Sequence, residues 1–372
     1  MSTVARPFVV TYATPSWDAR DVAEVPPRGM WCDQIVTKVR EIDLRSDTVT
    51  QPDERMRLAM SRAEVGDDVL DRDPTMRALE ERAADLLGVD AMLWVPTASM
   101  GNIIALTSHL RRGDRFLAPR LAHVLENELG TAAWLSGGMP EAVDWGAWPG
   151  RMPVESVRAA GRVGPYHSLR TTLLCLENTH NGAGGTVTPP DEHAKLVATA
   201  RDVGLKVHLD GARLWHASVA LSVPPAALTV GVDTVQVCLT KGLGAPMGSL
   251  VGGSTAFVEE ARRIRKMLGG GVRQGGIVAA AGLVALDRIP DLAEDHVNAR
   301  KLATGLAELG WEVDQPETNI VLAGTPDTEA SLAALKRVGV LAVPMSGKVR
   351  FIPHRDITAK DISEVVGRIA GL

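Results

Sequence analysis

Cysteine is scarce in this chain. Cys32, Cys175 and Cys238 are the only three in 372 residues, too far apart for a disulfide framework or a local zinc pattern. Cys175 and Cys238 sit inside apolar runs, where cysteine behaves as a small hydrophobe. No apolar run approaches the roughly 20 residues that span a bilayer. Positive charge is not in excess either: 40 Lys and Arg face 45 Asp and Glu, a formal net charge of −5. That balance argues against a general binder of nucleic acid or of acidic membranes. The opening MSTVARPFVVTYATP has a single Arg and no small-residue cleavage site, so a cytoplasmic protein is expected. Internal repeats are missing, and low complexity is confined to Gly and Ala clusters such as Gly269-Gly270-Gly271.

What is present is a globular composition, 45% hydrophobic and 23% charged, at a length that suits two domains. Residues 1–41, rich in Pro, Trp and charge without a sustained period, read as a poorly ordered or surface-draped N-terminal extension. The extended stretch IDLRSDTVTQP (42–52) opens the folded part. Amphipathic helices are expected near 53–64 and 74–87, the second entered by Asp73 as cap and Pro74 at the first helical position. From residue 91, apolar runs at 91–95, 115–119, 171–178, 206–211, 234–240 and 249–253 alternate with helical stretches at 99–110, 122–130, 191–203 and 255–268. The runs are too apolar to face water on either side. The alternation therefore predicts an α/β large domain over 42–290, with a mainly parallel sheet covered by helices. Beyond 290, helices at 291–309, 327–338 and 358–371 with strands at 319–323 and 349–353 predict a small α+β C-terminal domain over 291–372.

Asp210 ends the run KVHLD, and the carboxyl end of a buried parallel strand is where open α/β sheets place their ligands. Lys241 closes the next run, 31 residues on, and Gly242-Leu243-Gly244 leaves space around it. An acid and a lysine so placed suit pyridoxal phosphate, which needs a Schiff-base amine and an acid opposite its ring nitrogen. It also needs a phosphate cradle. Residues 96–102 (PTASMGN) join a strand to a helix, so free backbone N–H groups and the Ser99 hydroxyl would face an anion there. His123 follows the strand RFLAP in the right order to stack on a ring. Singly, each has a plainer reading: a turn acid, a capped βα loop, a core histidine. No G-x-G-x-x-G follows the first strand, which argues against a dinucleotide fold, and His208-x-Asp210 has no further metal ligands at local spacing.

These residues lie within the ordered motifs DLRSDTVTQP, AEVGDDVLDRDPT, VPTASMGN, ENTHNGAGG, VHLDGARLWHAS, CLTKGLGAPMGS and RKMLGGGVRQ, spread over about 43–282. With them the chain resembles the low-specificity L-threonine aldolases, within the β-eliminating lyase group of fold-type I pyridoxal phosphate enzymes. The resemblance implies an aspartate aminotransferase-like fold and pyridoxal 5'-phosphate as cofactor. It implies retro-aldol cleavage of β-hydroxy-α-amino acids (L-threonine, L-allo-threonine, phenylserine-like substrates) to glycine and an aldehyde. By motif, Lys241 would form the Schiff base, Asp210 would face the ring nitrogen and His123 would stack on the ring. Ala98 and Ser99 would hold the phosphate, with Arg273 reaching it from a neighbouring subunit, so a homodimer or homotetramer is expected. Ser46, Arg213 and Arg350 would hold the substrate carboxylate, for which an arginine's planar fork is suited. His180 would take the proton of the β-hydroxyl, with Glu128 or a water sharing that role. β-Elimination or aldehyde exchange on the same site is the alternative outcome. A cofactor-binding protein without catalysis is disfavoured by the presence of Lys241, Asp210, His123 and His180.

Three stretches depart from the family pattern. V-Y-G-x-D-P-T reads Val69-Leu70-Asp71-Arg72-Asp73-Pro74-Thr75, the S-G-T-M-G-N phosphate loop has Ala98 for its Gly, and the aromatic stretch after His123 is replaced by Val124-Leu125-Glu126-Asn127. These changes bear on the pocket for the β-substituent, which Trp94, Trp145 or Trp148 could also line.

Overall fold

Seven short strands build the principal sheet: β1 Ala91–Val95, β2 Arg115–Pro119, β3 Met139–Val143, β4 Thr171–Glu177, β5 Lys206–Gly211, β6 Thr234–Cys238 and β7 Ser249–Gly253. The computed structural model describes residues 40–70, 72–162 and 164–372, so most of the expected N-terminal extension, with Cys32, and Asp71 lie outside the described residues. The strands run in the spatial order β1-β7-β6-β5-β4-β2-β3, with β6, β5, β4, β2 and β3 paired in parallel. Only β7 pairs antiparallel, with β1 on one side and β6 on the other. Every residue of β6 and β7 is buried, as their unbroken apolar character requires.

Six of the seven strands coincide with the expected runs. The seventh, β3, was not anticipated: its sequence MPEAV carries a Pro and a Glu and is mostly exposed, because it forms the sheet's edge, where a Pro costs no central hydrogen bond. Helices Val154–Ala160, Leu214–Leu221 and Gly276–Leu286 were also missed. The last, GIVAAAGLVAL, is apolar all round and carries no amphipathic signal; it packs against helices Glu54–Ser61 and Pro74–Leu87. Asp73 caps Pro74–Leu87 as expected, accepting from the Thr75 and Met76 N–H groups. It also accepts from the N–H groups of Gly66 and Gly276, which pins the preceding loop to that buried helix.

A second core forms around the four-stranded antiparallel sheet of Val343–Met345, Lys348–Phe351, Val321–Gly324 and Glu312–Val313. Helices Leu292–Glu308, Thr328–Arg337 and Ala359–Ala370 surround it. Ile42 and Leu44, expected in the large domain, are buried in this second core instead, and Ile42–Asp43 pairs in parallel with Val340–Leu341. Each such buried aliphatic side chain contributes about 2 kcal/mol of burial. The chain thus begins its described part against the C-terminal elements and only then enters the large sheet, which brings residues 45–50 to the sheet's carboxyl edge.

Candidate active site

Parallel register aligns Glu177 of β4, Asp210 of β5 and Gln236 of β6 at the carboxyl ends of adjacent strands. All three are buried. Asp210 accepts hydrogen bonds from the Asn102 side-chain amide (2.8 Å) and from the Ala212 N–H (3.0 Å). Both donors are neutral, and among the described residues no Lys or Arg pairs with it. A carboxylate 2% exposed without a cationic partner is a place prepared for one.

Lys241 stands one strand away, in a tight turn with φ of 59°, its carbonyl held by the Thr50 hydroxyl at 2.8 Å. Its Nζ lies 3.3 Å from the Cys238 Sγ. The glycine after it is obligatory: a Cβ on Gly242 would fall 2.7 Å from His216 Nε2 and from a Leu292 methyl. Ala98 and Ser99 open the helix Ala98–His109, whose N-cap Thr97 accepts from the Met100 N–H. The first N–H groups of a helix have no partner within it, so they are free to meet an anion.

His123 begins the short helix Val124 shares, anchored by its N–H to Glu177 Oε2 (2.7 Å). Its Nδ1 is 2.8 Å from Glu128 Oε1, which also accepts from Asn102 at 2.8 Å. Burial opposes a charge on His123, but the hydrogen bond to Glu128 and the charges of Asp210, Glu128 and Glu177 outweigh it and raise its pKa. The Glu128 carboxyl is raised too, by its burial first and by the nearby Asp210 charge. Glu128, expected near the β-hydroxyl, bonds through Oε1 to His123 and Asn102. One ligand-type atom from each of His123, Glu128 and Asp210 converges within 4.8 Å, a grouping that local spacing around His208 did not reveal. The Asn102 amide donates to both carboxylates of that group.

On the other side of Lys241, Arg213 lays its fork on Asp47 (Nε–Oδ2 2.8 Å, Nη2–Oδ1 2.6 Å), both residues being buried. Burial alone would raise the Asp47 carboxyl, yet the charge and hydrogen bonds of Arg213, with Lys241 adding charge, hold it well below the usual carboxylate range. Arg213 was expected to hold the substrate carboxylate; two of its nitrogens lie on Asp47 and leave Nη1 for that task. Its Nη1 and the Nη1 of Arg350 both reach Asn181 Oδ1, each at 3.3 Å. Burial, together with the neighbouring Arg213 charge, lowers the Arg350 pKa, and its Nε has no partner among the described residues. Ser46 caps the turn Asp47–Val49 at the same place.

His180 is buried, with its ring edge-on to Trp145 at 5.7 Å between centroids. Its Nδ1 accepts from the Ala183 N–H at 3.2 Å. A backbone N–H can only donate, so the neutral ring carries its proton on Nε2, which has no partner among the described residues. In that tautomer His180 offers a proton at Nε2, where the expectation had it take one from the β-hydroxyl. Trp94 is fully buried in the core, and Trp148 lies exposed beside Arg151, so of the three tryptophans Trp145 alone contacts a site histidine. Arg273 stands apart, 55% exposed and tethered to Asp67. Sequence reasoning passed over Asn102, Asp47, Asn181 and Glu177. All four lie inside or beside the quoted motifs; the missing signal was that Asn102, Asp47 and Glu177 are buried and that Asn181 is half-buried between two arginines.

Comparisons with known proteins agree with this arrangement. A model of the family described as "Beta-eliminating lyase" matches residues 43–327. A probable low-specificity L-threonine aldolase 2 of Arabidopsis thaliana is 41% identical, over 89% of this chain and 96% of its own length. The low specificity L-threonine aldolase of Escherichia coli is 39% identical, over 87% of this chain and 97% of its own. Among solved structures, a Leishmania major threonine aldolase superposes with a TM-score of 0.75 at 19% identity, covering 88% of this chain and 98% of that one. A Sphingomonas wittichii serine palmitoyltransferase reaches 0.71 at 17%, covering 89% and 86%. The fold is therefore that of the fold-type I enzymes. With a match spanning most of its length and relatives near 40% identity, the chain belongs to the β-eliminating lyase family.

Proposed function

We propose that the protein is a pyridoxal phosphate-dependent aldolase that cleaves L-β-hydroxy-α-amino acids, L-threonine and L-allo-threonine among them, to glycine and an aldehyde. The observation that carries this reading is Asp210: a buried carboxylate with only neutral donors, one strand from Lys241 at the same sheet edge. A protonated ring nitrogen is the partner such a carboxylate lacks. In this reading Lys241 would hold the cofactor through its amine, the helix start at Ala98 and Ser99 would take the phosphate, and His123 would face the ring. Bound there, pyridoxal phosphate supplies the electron sink into which a Cα bond can release its electrons.

The chain's own groups decide which bond that is. Arg350, through its unpartnered Nε, and Arg213, through Nη1, receive the substrate carboxylate and so fix the amino acid's rotation about Cα. Ser46 adds a hydroxyl on the same side. His180 Nε2–H donates to the β-oxygen and orients the hydroxyl group. The hydroxyl proton passes to His123 Nε2, the ring nitrogen left free when Nδ1–H is held by Glu128, or to a water beside it. Lys241 returns a proton to Cα as glycine forms. Arg273, exposed and tethered to Asp67, would complete the phosphate site of a second copy in a homodimer or homotetramer.

Incubation of the purified protein and pyridoxal phosphate with L-threonine, L-allo-threonine, L-phenylserine and their D-forms tests the reading. Glycine and aldehyde should appear in equal amounts from the L-forms and vanish in Lys241→Ala. A 2-oxo acid with ammonia, or a new β-hydroxy amino acid formed from a second aldehyde while no free glycine is released, would replace the aldolase assignment by elimination or exchange.

A further inference from the structure

Behind Asp210 runs a buried chain of side chains that the proposed reaction does not use. Asn102 and His109 lie seven residues apart on one face of the helix Ala98–His109. That face meets β5 and β6, where His208 and Thr234 are direct register partners and His208 shares a strand face with Asp210. The approach is close because residue 101 is a glycine: a Cβ there would fall 2.7 Å from Gln236 Cγ. The contacts are His109 Nε2 to Thr234 Oγ1 (3.0 Å), Thr234 Oγ1 to His208 Nδ1 (2.9 Å), and His208 Nε2 to Asn102 Oδ1 (3.1 Å). Asn102 Nδ2 then reaches Glu128 Oε1 and Asp210 Oδ2, each at 2.8 Å.

The direction of every bond follows from one end. Carboxylate oxygens accept, so Asn102 Nδ2 donates both its protons and its Oδ1 must be the acceptor facing His208. His208 Nε2 therefore carries a proton. Burial pushes the His208 pKa down to about 4, so its ring is neutral near pH 7 and Nδ1 is bare. Thr234 donates to that nitrogen, and its oxygen accepts from His109 Nε2–H. A reversed Asn102 amide would set its oxygen against two carboxylates and two N–H groups against each other, in a fully buried place.

We infer that Asn102, locked in one orientation by the His208–Thr234–His109 chain, is a positioning residue that holds the Asp210 carboxylate toward the cofactor's ring nitrogen and ties it to the His123–Glu128 pair. This rests on the pyridoxal phosphate reading above. Asn102 supplies one N–H to each of two buried acids that otherwise face each other as like charges. Without it, a shared proton relieves that repulsion, and Asp210 meets the ring nitrogen with less negative charge. The other titratable groups around Asp210 are Glu177 and Cys175 on β4, His208 on its own strand, and His123; β6 presents the neutral Gln236.

Asn102→Leu, His208→Leu and His208→Gln test this. Gln can place an N–H where His208 Nε2–H lies; Leu cannot. The readouts are the pyridoxal phosphate dissociation constant from absorbance titration, the pH dependence of the bound cofactor's absorbance from pH 5 to 9, the kcat and KM for L-threonine, and the apo melting temperature. Asn102→Leu should weaken cofactor binding about tenfold and lower kcat rather than raise KM. His208→Leu should do the same in part, and His208→Gln should recover most of that loss. Unchanged affinity and pH profile in Asn102→Leu would overturn the inference, as would equal losses in both His208 variants; if Asn102→Leu does not fold, the His208 pair decides. A wild-type protein that takes up no pyridoxal phosphate would instead sink the proposed function, a distinct result.

Discussion

Two buried aspartates flank Lys241, and the chain treats them in opposite ways. Asp47 is neutralised from within: Arg213 lies on it through two nitrogens, and Asn319 adds a third contact at 3.3 Å. Asp210 receives only an amide and a backbone N–H. The first arrangement uses up one carboxylate and leaves Arg350 as surplus positive charge, aimed with Arg213 Nη1 at Asn181. The second leaves surplus negative charge. An amino acid joined to a pyridinium ring offers the complement of both, a carboxylate for one side and a cationic nitrogen for the other. Equal burial, then, says little about what an acidic group is for; the charge of its donors says more.

Exchanging the charge on the unneutralised side should have the largest effect. Asp210→Asn keeps the shape and removes the negative charge that a buried cation would face, a loss of roughly 4 kcal/mol or about 10³-fold in kcat. Steady-state cleavage of L-threonine with saturating cofactor measures it, and the apo protein should melt close to wild type because no ion pair is broken. Asp47→Asn should invert that pattern. It strands the Arg213 guanidinium in a buried place, at a cost of about 3–5 kcal/mol in unfolding free energy by urea titration. The pH dependence sharpens the contrast. Because the folded-state pKa of Asp47 is depressed, its contribution is complete above the unfolded value near 4 and is lost as the pH falls below it. Wild type and Asp47→Asn should therefore converge in stability on acidification. Were Asp210→Asn the destabilised variant and Asp47→Asn the stable one, the assignment of the two sides would be reversed.

The sequence disclosed the donors of chemistry more readily than the groups that aim them. Six of the seven strands of the large sheet, and Asp210 and Lys241 at their ends, are legible because buried parallel strands are apolar and any charge at their tips stands out. The strand MPEAV at the edge and the uniformly apolar helix Gly276–Leu286 are not, since neither carries the periodicity on which such reading depends. Asn102 and Asp47 stayed hidden for another reason. Each lies one to three residues from a residue that motif reasoning does select, Ser99 or Ser46, and only the packing of the Ala98–His109 helix on the sheet, or of the 45–50 segment under Arg213, shows that they are buried. The tautomer of His180 hangs on one backbone N–H three residues away, which no composition or spacing displays.

A third aspartate extends the comparison with the smallest expected effect and the opposite sign. Asp295, on the helix Leu292–Glu308, is buried behind the Lys241 turn beside the His216–His296 pair, whose rings share a 2.9 Å contact. Its Oδ2 has no partner among the described residues. Burial first, and then the charges of Asp47 and Glu294, push its pKa up to about 8, while burial pushes His216 down to about 3 and His296 down to about 4. Near pH 7 this region is thus neutral on every member, unlike either flank of the site. The folded state binds the Asp295 proton more tightly than the unfolded state does, so raising the pH from about 4 toward 8 erodes stability through this group. Asp295→Asn removes that proton and the erosion with it. The variant should unfold near wild-type denaturant at pH 5 and gain on the order of 1 kcal/mol over wild type at pH 9. A variant that loses stability at pH 9 would mean that Asp295 is ionised and paired there, which would place it with Asp47 rather than apart from both flanking acids.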